Sequence, residues 1–251
     1  MITRHLCAGS HSLRRWASIS ASTPALRDTV ISRSCQSFLI FGANTDVGKT
    51  VVSAGLARTS PSENSVHYIK PLQCGGSDQF FVEQHAPNVT SFQTLFEWDS
   101  FSSPHSAARR ESLPISDDQV QSSLTESIQK LHSMNENSNL WLETAGGVLS
   151  PSSASPDNCL PGHSKGENGS NDNANASWGW STQGDLYQEV PFPIILVGDG
   201  RLGGISATLS SLESLWLRNY AIAGLVLIET EGFDNRSALV EYASRSVNAD
   251  R

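Results

Sequence analysis

Long apolar runs are missing from this chain. No stretch approaches the roughly 18 residues that a membrane-spanning helix requires, which points away from a membrane protein. Cysteine is scarce and unpaired. Of the 4 cysteines, Cys7 and Cys35 fall near the amino terminus, while Cys74 and Cys159 stand far apart. That spacing indicates neither a disulfide framework nor a zinc site, and a reducing interior is the simpler setting. Basic residues are also few, 17 Lys and Arg against 25 Asp and Glu, for a formal net charge of −8. An acidic surplus offers no electrostatic footprint for nucleic acid.

Residues 1–36 have the opposite balance. They hold Arg4, Arg14, Arg15, Arg27 and Arg33, many serines, and a single acid, Asp28. Arginine-rich, serine-rich and acid-poor is the composition of an organellar transit peptide. We therefore read 1–36 as a transit peptide and 37–251 as the folded domain, whose formal charge deepens to −12 without the leader's arginines and aspartate. Aliphatic residues are nearly absent from 151–184, which is rich in Ser, Asn, Gly and Pro. Such a composition buries too little apolar surface to offset ordering, so a disordered insert loop is expected there. Trp178 and Trp180, near its end, are expected to be solvent-exposed or locally packed rather than to pin the loop to the body or contact a partner.

What is present has a regular rhythm. Short apolar runs at Phe38–Phe41, Val66–Leu72, Leu140–Leu142, Pro193–Val197 and Gly224–Ile228 read as buried strands. Between them lie helix-length segments, Val51–Arg58, Ser116–Met134 and Ile205–Leu217. The second opens with a capping-box pair, Ser116 and Gln119, and carries Val120, Leu124, Ile128 and Leu131 on one face. The third places Ile205, Leu209, Leu212 and Trp216 similarly. Near-continuous apolar strands alternating with amphipathic helices predict an α/β fold, a doubly wound, mostly parallel sheet in three α/β/α layers. After Ile228 no closing helix is evident.

The first strand runs into Gly42-Ala43-Asn44-Thr45-Asp46-Val47-Gly48-Lys49-Thr50. A strand, a glycine-bounded loop and Gly-Lys-Thr before a helix form a phosphate-binding loop, as in P-loop NTPases. Backbone N–H groups and the helix N-terminus face the anion, Lys49 adds charge, and the Thr50 hydroxyl is a Mg²⁺ ligand. The usual spacing requires glycine at position 43, where this chain has Ala43; its glycine is Gly42. Each remaining strand also ends on a polar group: Lys70, Glu143, Asp199 and Glu229. In an open α/β sheet, ligands bind outside those carboxyl ends. One crevice thus gathers a phosphate loop, a second lysine and several carboxylates. Thr50, Glu143 and Asp78, beyond the Gly75-Gly76 turn, are the candidate Mg²⁺ ligands, since that ion takes hard oxygen donors. Lys49 and Lys70 are placed to stabilise charge on a transferring phosphoryl group.

The blocks carrying these groups resemble those of dethiobiotin synthetases. Besides the loop they are Tyr68-Ile69-Lys70-Pro71-Leu72-Gln73-Cys74-Gly75, Glu143-Thr144-Ala145-Gly146-Gly147-Val148 and Ile195-Leu196-Val197-Gly198-Asp199-Gly200-Arg201-Leu202-Gly203, with a weaker Ser103-Pro104-His105. The displaced glycine is that family's own, and the wording is similar to the synthetase domain of eukaryotic bifunctional biotin proteins. The resemblance implies an ATP- and Mg²⁺-dependent ligase that closes the ureido ring of dethiobiotin from 7,8-diaminononanoate and CO₂. It implies Lys70 and Lys49 as catalytic, with Lys70 and Cys74 at the substrate. Asp46, Val47, Gly48, Lys49, Thr50, Val51, Glu143, Thr144, Ala145 and Gly146 are implied at the nucleotide, and Thr50, Asp78 and Glu143 at the metal. A homodimer, fusion to a pyridoxal-phosphate-dependent aminotransferase, and a mitochondrial rather than plastid location are implied as well.

Three positions depart from the family pattern. Asp46 stands where a longer acid or glycine is common, Cys74 where a hydroxyl touches substrate, and Ile228-Glu229-Thr230 where an asparagine reads adenine. Two alternatives remain open at this point. One is a partitioning-type P-loop ATPase switch, although Ala43-Asn44-Thr45-Asp46 lacks that group's extra lysine. The other is an inactive amino-terminal piece of a bifunctional protein.

Overall fold

A computed structural model of the protein describes residues 36–61, 63–134, 137–158 and 178–249. All but one residue of the leader lie outside this set, as do residues 159–177 of the insert. The chain runs β1 (Ser37–Gly42), α1 (Lys49–Arg58), β2 (Ser65–Cys74), α2 (Asp78–His85), β3 (Ser91–Trp98), α3 (Pro104–Glu111) and α4 (Asp117–Met134). It continues through β4 (Ser138–Gly147), a single turn α5 (Gln183–Leu186), β5 (Ile194–Gly198), α6 (Gly204–Leu217), β6 (Ile222–Leu227) and α7 (Asn235–Ala249). The strands form one 6-stranded sheet in the order β3-β2-β4-β1-β5-β6, parallel throughout. The α/β, doubly wound reading therefore holds.

Successive side chains of a strand face opposite ways, and here both faces are covered. Leu39 and Phe41 of β1 join a cluster with Val120, Leu124, Ile128 and Leu131 of α4 and Leu212 and Leu215 of α6. Ile40, between them, joins the opposite cluster with Ala54 and Ala57 of α1 and Val82 of α2. These are the two helical layers. The Ser116 capping box forms as expected: Gln119 N donates to Ser116 Oγ at 3.2 Å, and Ser116 N donates to Gln119 Oε1 at 2.8 Å.

Five elements were not evident from pattern: β3, α2, α3, the single turn α5 and α7. β3 (Ser91-Phe92-Gln93-Thr94-Leu95-Phe96-Glu97-Trp98) is an edge strand, paired with β2 alone, and its polar residues interrupt the apolar run expected of a buried strand. α2 and α3 are 8 residues each and bury little; α3 is set by Pro104 in its first turn and packs Ala107 and Ala108. α7 corrects the expectation that no helix follows the last strand.

Two further readings change. The buried face of α6 is Gly204, Thr208, Ser211, Leu212, Ser214 and Leu215; of the expected stripe Leu212 is buried, while Ile205, Leu209 and Trp216 are half-buried. Small residues bring this helix close to the sheet, where Thr208 Oγ1 accepts from Asp199 N at 3.0 Å and Ser211 Oγ donates to Ala43 O at 3.2 Å. The ends of the 151–184 stretch are ordered. Pro151 pairs with Thr182 and Ser155 with Gly179 in antiparallel bridges, and Ser152, Ser153 and Ala154 are buried. Hydroxyls help hold these ends, Ser181 N donating to Ser152 Oγ at 3.0 Å, alongside the buried Ala154. Of the two tryptophans, Trp178 packs against the larger cluster, which ties this end to the body, and Trp180 against the His105 ring at 5.6 Å.

Candidate active site

The site forms where neighbouring strands part. β2 pairs with β4 from Ser65 to Ile69, the last partner being Leu142. The next residues in register are Lys70 and Glu143. Beyond them β2 continues against β3 only, so Pro71, which has no N–H to offer, stands where no partner on the β4 side needs one. On its other edge β4 slips against β1 after Ile40↔Glu143, resuming at Gly42↔Gly147. Thr144–Gly146, three residues against the single Phe41, turn over β1, with Gly146 at φ 64 and Thr144 Oγ1 donating to Ile40 O at 3.1 Å.

Glu143 and Lys70 lie on the sheet face that α1 covers. Glu143 is completely buried, and a carboxylate there is tolerated only if paired and hydrogen-bonded. Four donors from α1 and β2 converge on it. Its Oε1 accepts from Thr50 Oγ1 at 2.9 Å and from Lys70 Nζ at 2.9 Å. Its Oε2 accepts from Ser53 Oγ at 2.6 Å and Tyr68 OH at 3.1 Å. The spacing explains the convergence. Thr50 and Ser53 are three apart on α1, and Tyr68 and Lys70 two apart on β2, so each pair shares a face. Tyr68 and Ser53 escaped the sequence reading, although the two-residue strand period from Lys70 and the helical offset from Thr50 mark them.

Lys70 also bonds Asp78 Oδ2 at 2.6 Å and Thr144 O at 3.2 Å. Burial alone would lower its ammonium pKa, but Glu143 and Asp78 outweigh it and hold the pKa above the ordinary lysine value. Burial, then the Glu143 charge, raises the Tyr68 phenol, so it stays a donor. Lys49 is different. It is 7% exposed, and burial, then the charge of Lys70, brings its pKa down to about 8, with Glu143 only partly compensating. An anion at this position would supply the missing counter-charge.

The loop itself accounts for its displaced glycine. A side chain at Gly42 would place its first carbon 2.8 Å from Asn44 O and 3.0 Å from Lys49 Nζ, so glycine here clears room for the lysine. Gly48 enters α1 at φ 88, with Ile228 packed where a Cβ would stand, and Asp46 adopts φ 56. Of the residues expected at the nucleotide, Lys49, Thr50, Glu143 and Thr144 come together inside; Asp46 and Val51 are exposed on the loop and the first turn of α1, and Val47 is buried behind it. Gly146 forms the facing wall, its carbonyl 3.1 Å from where a Gly42 Cβ would lie.

Of the expected metal ligands, Glu143 and Asp78 both pair with Lys70, and Thr50 bonds the Glu143 oxygen that Lys70 also bonds. Cys74, expected at the substrate, instead packs against the larger apolar cluster, and burial pushes its thiol up to about 12. Asp199 at the end of β5 meets the phosphate loop, its Oδ2 accepting from Asn44 Nδ2 at 3.3 Å. Glu229 is exposed just past β6. The arrangement offers a cationic cradle for a polyphosphate next to an all-oxygen cluster of a hydroxyl and two carboxylates.

Comparison with known proteins agrees with this chemistry. A family model described as an AAA domain matches residues 36–156. The chain is 33% identical over 271 residues to a bifunctional dethiobiotin synthetase/7,8-diamino-pelargonic acid aminotransferase, mitochondrial, of Oryza sativa subsp. japonica, covering 84% of this chain and 30% of the relative. It is 34% identical over 217 residues to a bifunctional dethiobiotin synthetase/adenosylmethionine-8-amino-7-oxononanoate aminotransferase of Emericella nidulans, covering 84% of this chain and 24% of that one. The chain thus spans less than a third of these bifunctional relatives. Against the ATP-dependent dethiobiotin synthetase of Chlamydia felis it is 30% identical over 192 residues, covering 75% of this chain and 73% of the relative.

Proposed function

The chain belongs to the dethiobiotin synthetase family, and from that premise we propose that it is an ATP-dependent ligase that closes the ureido ring of dethiobiotin from 7,8-diaminononanoate and CO₂. The observation that carries the proposal is the meeting of Lys70, Glu143, Asp78 and Thr50 beside a loop in which Lys49 is buried without a full counter-charge. The loop amides and Lys49 hold the triphosphate. One substrate amine takes up CO₂ as a carbamate, the γ-phosphoryl group passes from ATP to the carbamate oxygen, and the second amine closes the ring, releasing phosphate. Lys70 orients the carbamate and stabilises charge spreading on the transferring group. Little general-base work is required, because orientation and charge neutralisation carry phosphoryl transfer.

The oxygen-only donor set fits Mg²⁺, which Thr50, Asp78 and Glu143 would hold, and which supplies charge neutralisation to the phosphates. Ser53 and Tyr68 keep the Glu143 carboxylate aimed at that position. Two coarser features belong to the same reading: a homodimer, checked by light scattering on the purified chain, and delivery to the mitochondrion by residues 1–36. For the latter, the leader composition and the word "mitochondrial" in the name of the rice relative are the support. Fusing 1–36 to a fluorescent protein checks it.

The decisive assay supplies diaminononanoate, bicarbonate and Mg-ATP and follows phosphate and dethiobiotin together. Equal amounts of both are expected. Phosphate release that ignores the diamine overturns the ligase reading. Lys49→Ala and Lys70→Ala should each lower turnover on the order of 10²-fold or more, as loss of a preorganised electrostatic contact does.

A further inference from the structure

The Val-Gly-Asp-Gly-Arg block after β5 has no part in the chemistry above, yet it is tightly built. Asp199 is 4% exposed, and its carboxylate takes Arg201 N at 3.0 Å, Arg201 Nε at 2.9 Å and Arg201 Nη2 at 2.8 Å, besides Asn44 Nδ2 at 3.3 Å. The same guanidinium reaches the phosphate loop a second way, Nη2 donating to Thr45 O at 3.1 Å. From the other side, Asn235, the first residue of α7 and 6% exposed, donates through Nδ2 to Asp199 O at 3.0 Å and Arg201 O at 2.8 Å. The turn is fixed sterically as well. A Cβ on Gly204 would lie 1.9 Å from Asp199 O, and one on Gly200 would lie 2.1 Å from Ile228 O.

We propose that Asp199, Arg201 and Asn235 form a brace that holds the outer limb of the phosphate loop in its nucleotide-receiving shape. The inference rests on the nucleotide reading of that loop. A carboxylate so placed does not serve phosphate directly, because like charges repel and its lone pairs are already taken by Arg201 and Asn44. It acts through Asn44 and Thr45, and so Asp199 and Arg201 are positioning residues. The loop needs such support. Next to Thr45, Asp46 holds φ 56, a conformation that a non-glycine residue keeps only where its surroundings over-determine it. Asn44 also ties the limb internally, its Oδ1 accepting from Thr45 N at 2.8 Å. Loosening the brace lets the loop amides sample other arrangements, and each bound nucleotide must then restore the productive one.

The experiment measures binding of N-methylanthraniloyl-ATP with Mg²⁺ by fluorescence, together with steady-state kinetics, for the parent, Asp199→Asn, Arg201→Gln and Arg201→Lys. Arg201 is the safer site for folding, because its side chain is 49% exposed. In Arg201→Gln, nucleotide Kd and KM should rise on the order of tenfold, the factor corresponding to about 1.4 kcal/mol. At saturating ATP, kcat should stay within about twofold, as expected when the lost interaction is a uniform binding one. Arg201→Lys should recover part of the loss, since one ammonium cannot span both Asp199 and Thr45 O. A merely structural role would instead lower the active fraction, and hence kcat, with Kd unchanged, and that result overturns the brace. So does parent-like Kd in both Asp199→Asn and Arg201→Gln. Failure of the parent itself to bind the nucleotide overturns the reading of the site, and the brace with it.

Discussion

Replacing Lys70 with methionine tests the energetics of the site directly. Methionine keeps the length of the stem but removes the ammonium that holds Glu143 Oε1 at 2.9 Å and Asp78 Oδ2 at 2.6 Å. Asp78, whose side chain is 33% exposed, can rehydrate, but Glu143, 0% exposed, cannot. Removing one partner of a buried ion pair costs roughly 3–5 kcal/mol. In a domain of this size each kcal/mol moves the melting temperature by about 2–4 °C, so a fall on the order of 6–20 °C is expected. The assay is thermal unfolding of the nucleotide-free protein by circular dichroism, with urea midpoints as a second probe. The double variant Lys70→Met, Glu143→Gln removes the stranded charge and should melt above Lys70→Met alone, although both lack activity. The coupling between the two substitutions should be on the order of 1–3 kcal/mol, as for residues in one network. Two results would refute the reasoning: a Lys70→Met protein melting within about 2 °C of the parent, or a double variant whose loss equals the sum of the singles.

Tyr68→Phe removes only the donor to Glu143 Oε2 and should cost about 1.5–3 kcal/mol, the range for a hydrogen bond to a charged group, measured by urea midpoint. Hydrogen bonds from Arg201, opposed by burial, hold Asp199 at about 2, below the ordinary carboxyl value. A depressed acid contributes stability above its unfolded pKa and loses it as pH falls through the folded one. The stability gap between the parent and Arg201→Gln, full at neutral pH, should therefore shrink as the pH falls from about 4 toward 2; a gap that does not change with pH would contradict the pairing. Cys74, with its thiol raised to about 12, should resist iodoacetamide at pH 8 in the native protein and react in urea, as read by peptide mass mapping.

Much of this protein was legible in its residues because the relevant signals are local. The β1 run, Gly48-Lys49-Thr50, the Ser116–Gln119 box and the Val120–Leu131 stripe each depend on period, turn chemistry or capping within a few positions. All four appear where the spacing placed them. The polar ends of the strands, Lys70 and Glu143 above all, pointed to the crevice because a parallel sheet brings carboxyl ends together whatever the strand order.

The sequence by itself therefore determined the layered α/β class, the phosphate loop and the polar strand ends, Lys70 and Glu143, that lie beside it. Tertiary structure decided how these meet. The parting of β2 from β4 after Ile69 and the slip of β4 on β1 after Glu143 put Lys70 beside a buried carboxylate, and both depend on pairing between distant segments. The edge strand β3, the buried face of α6 and the packed serines at 151–155 answer to neighbours rather than to their own pattern. The bond from Asn235 to the Asp199 turn spans 36 residues, and the contact from Arg201 to Thr45 spans 156. No local rule reaches that far, because those bonds exist only once the sheet has brought the segments together.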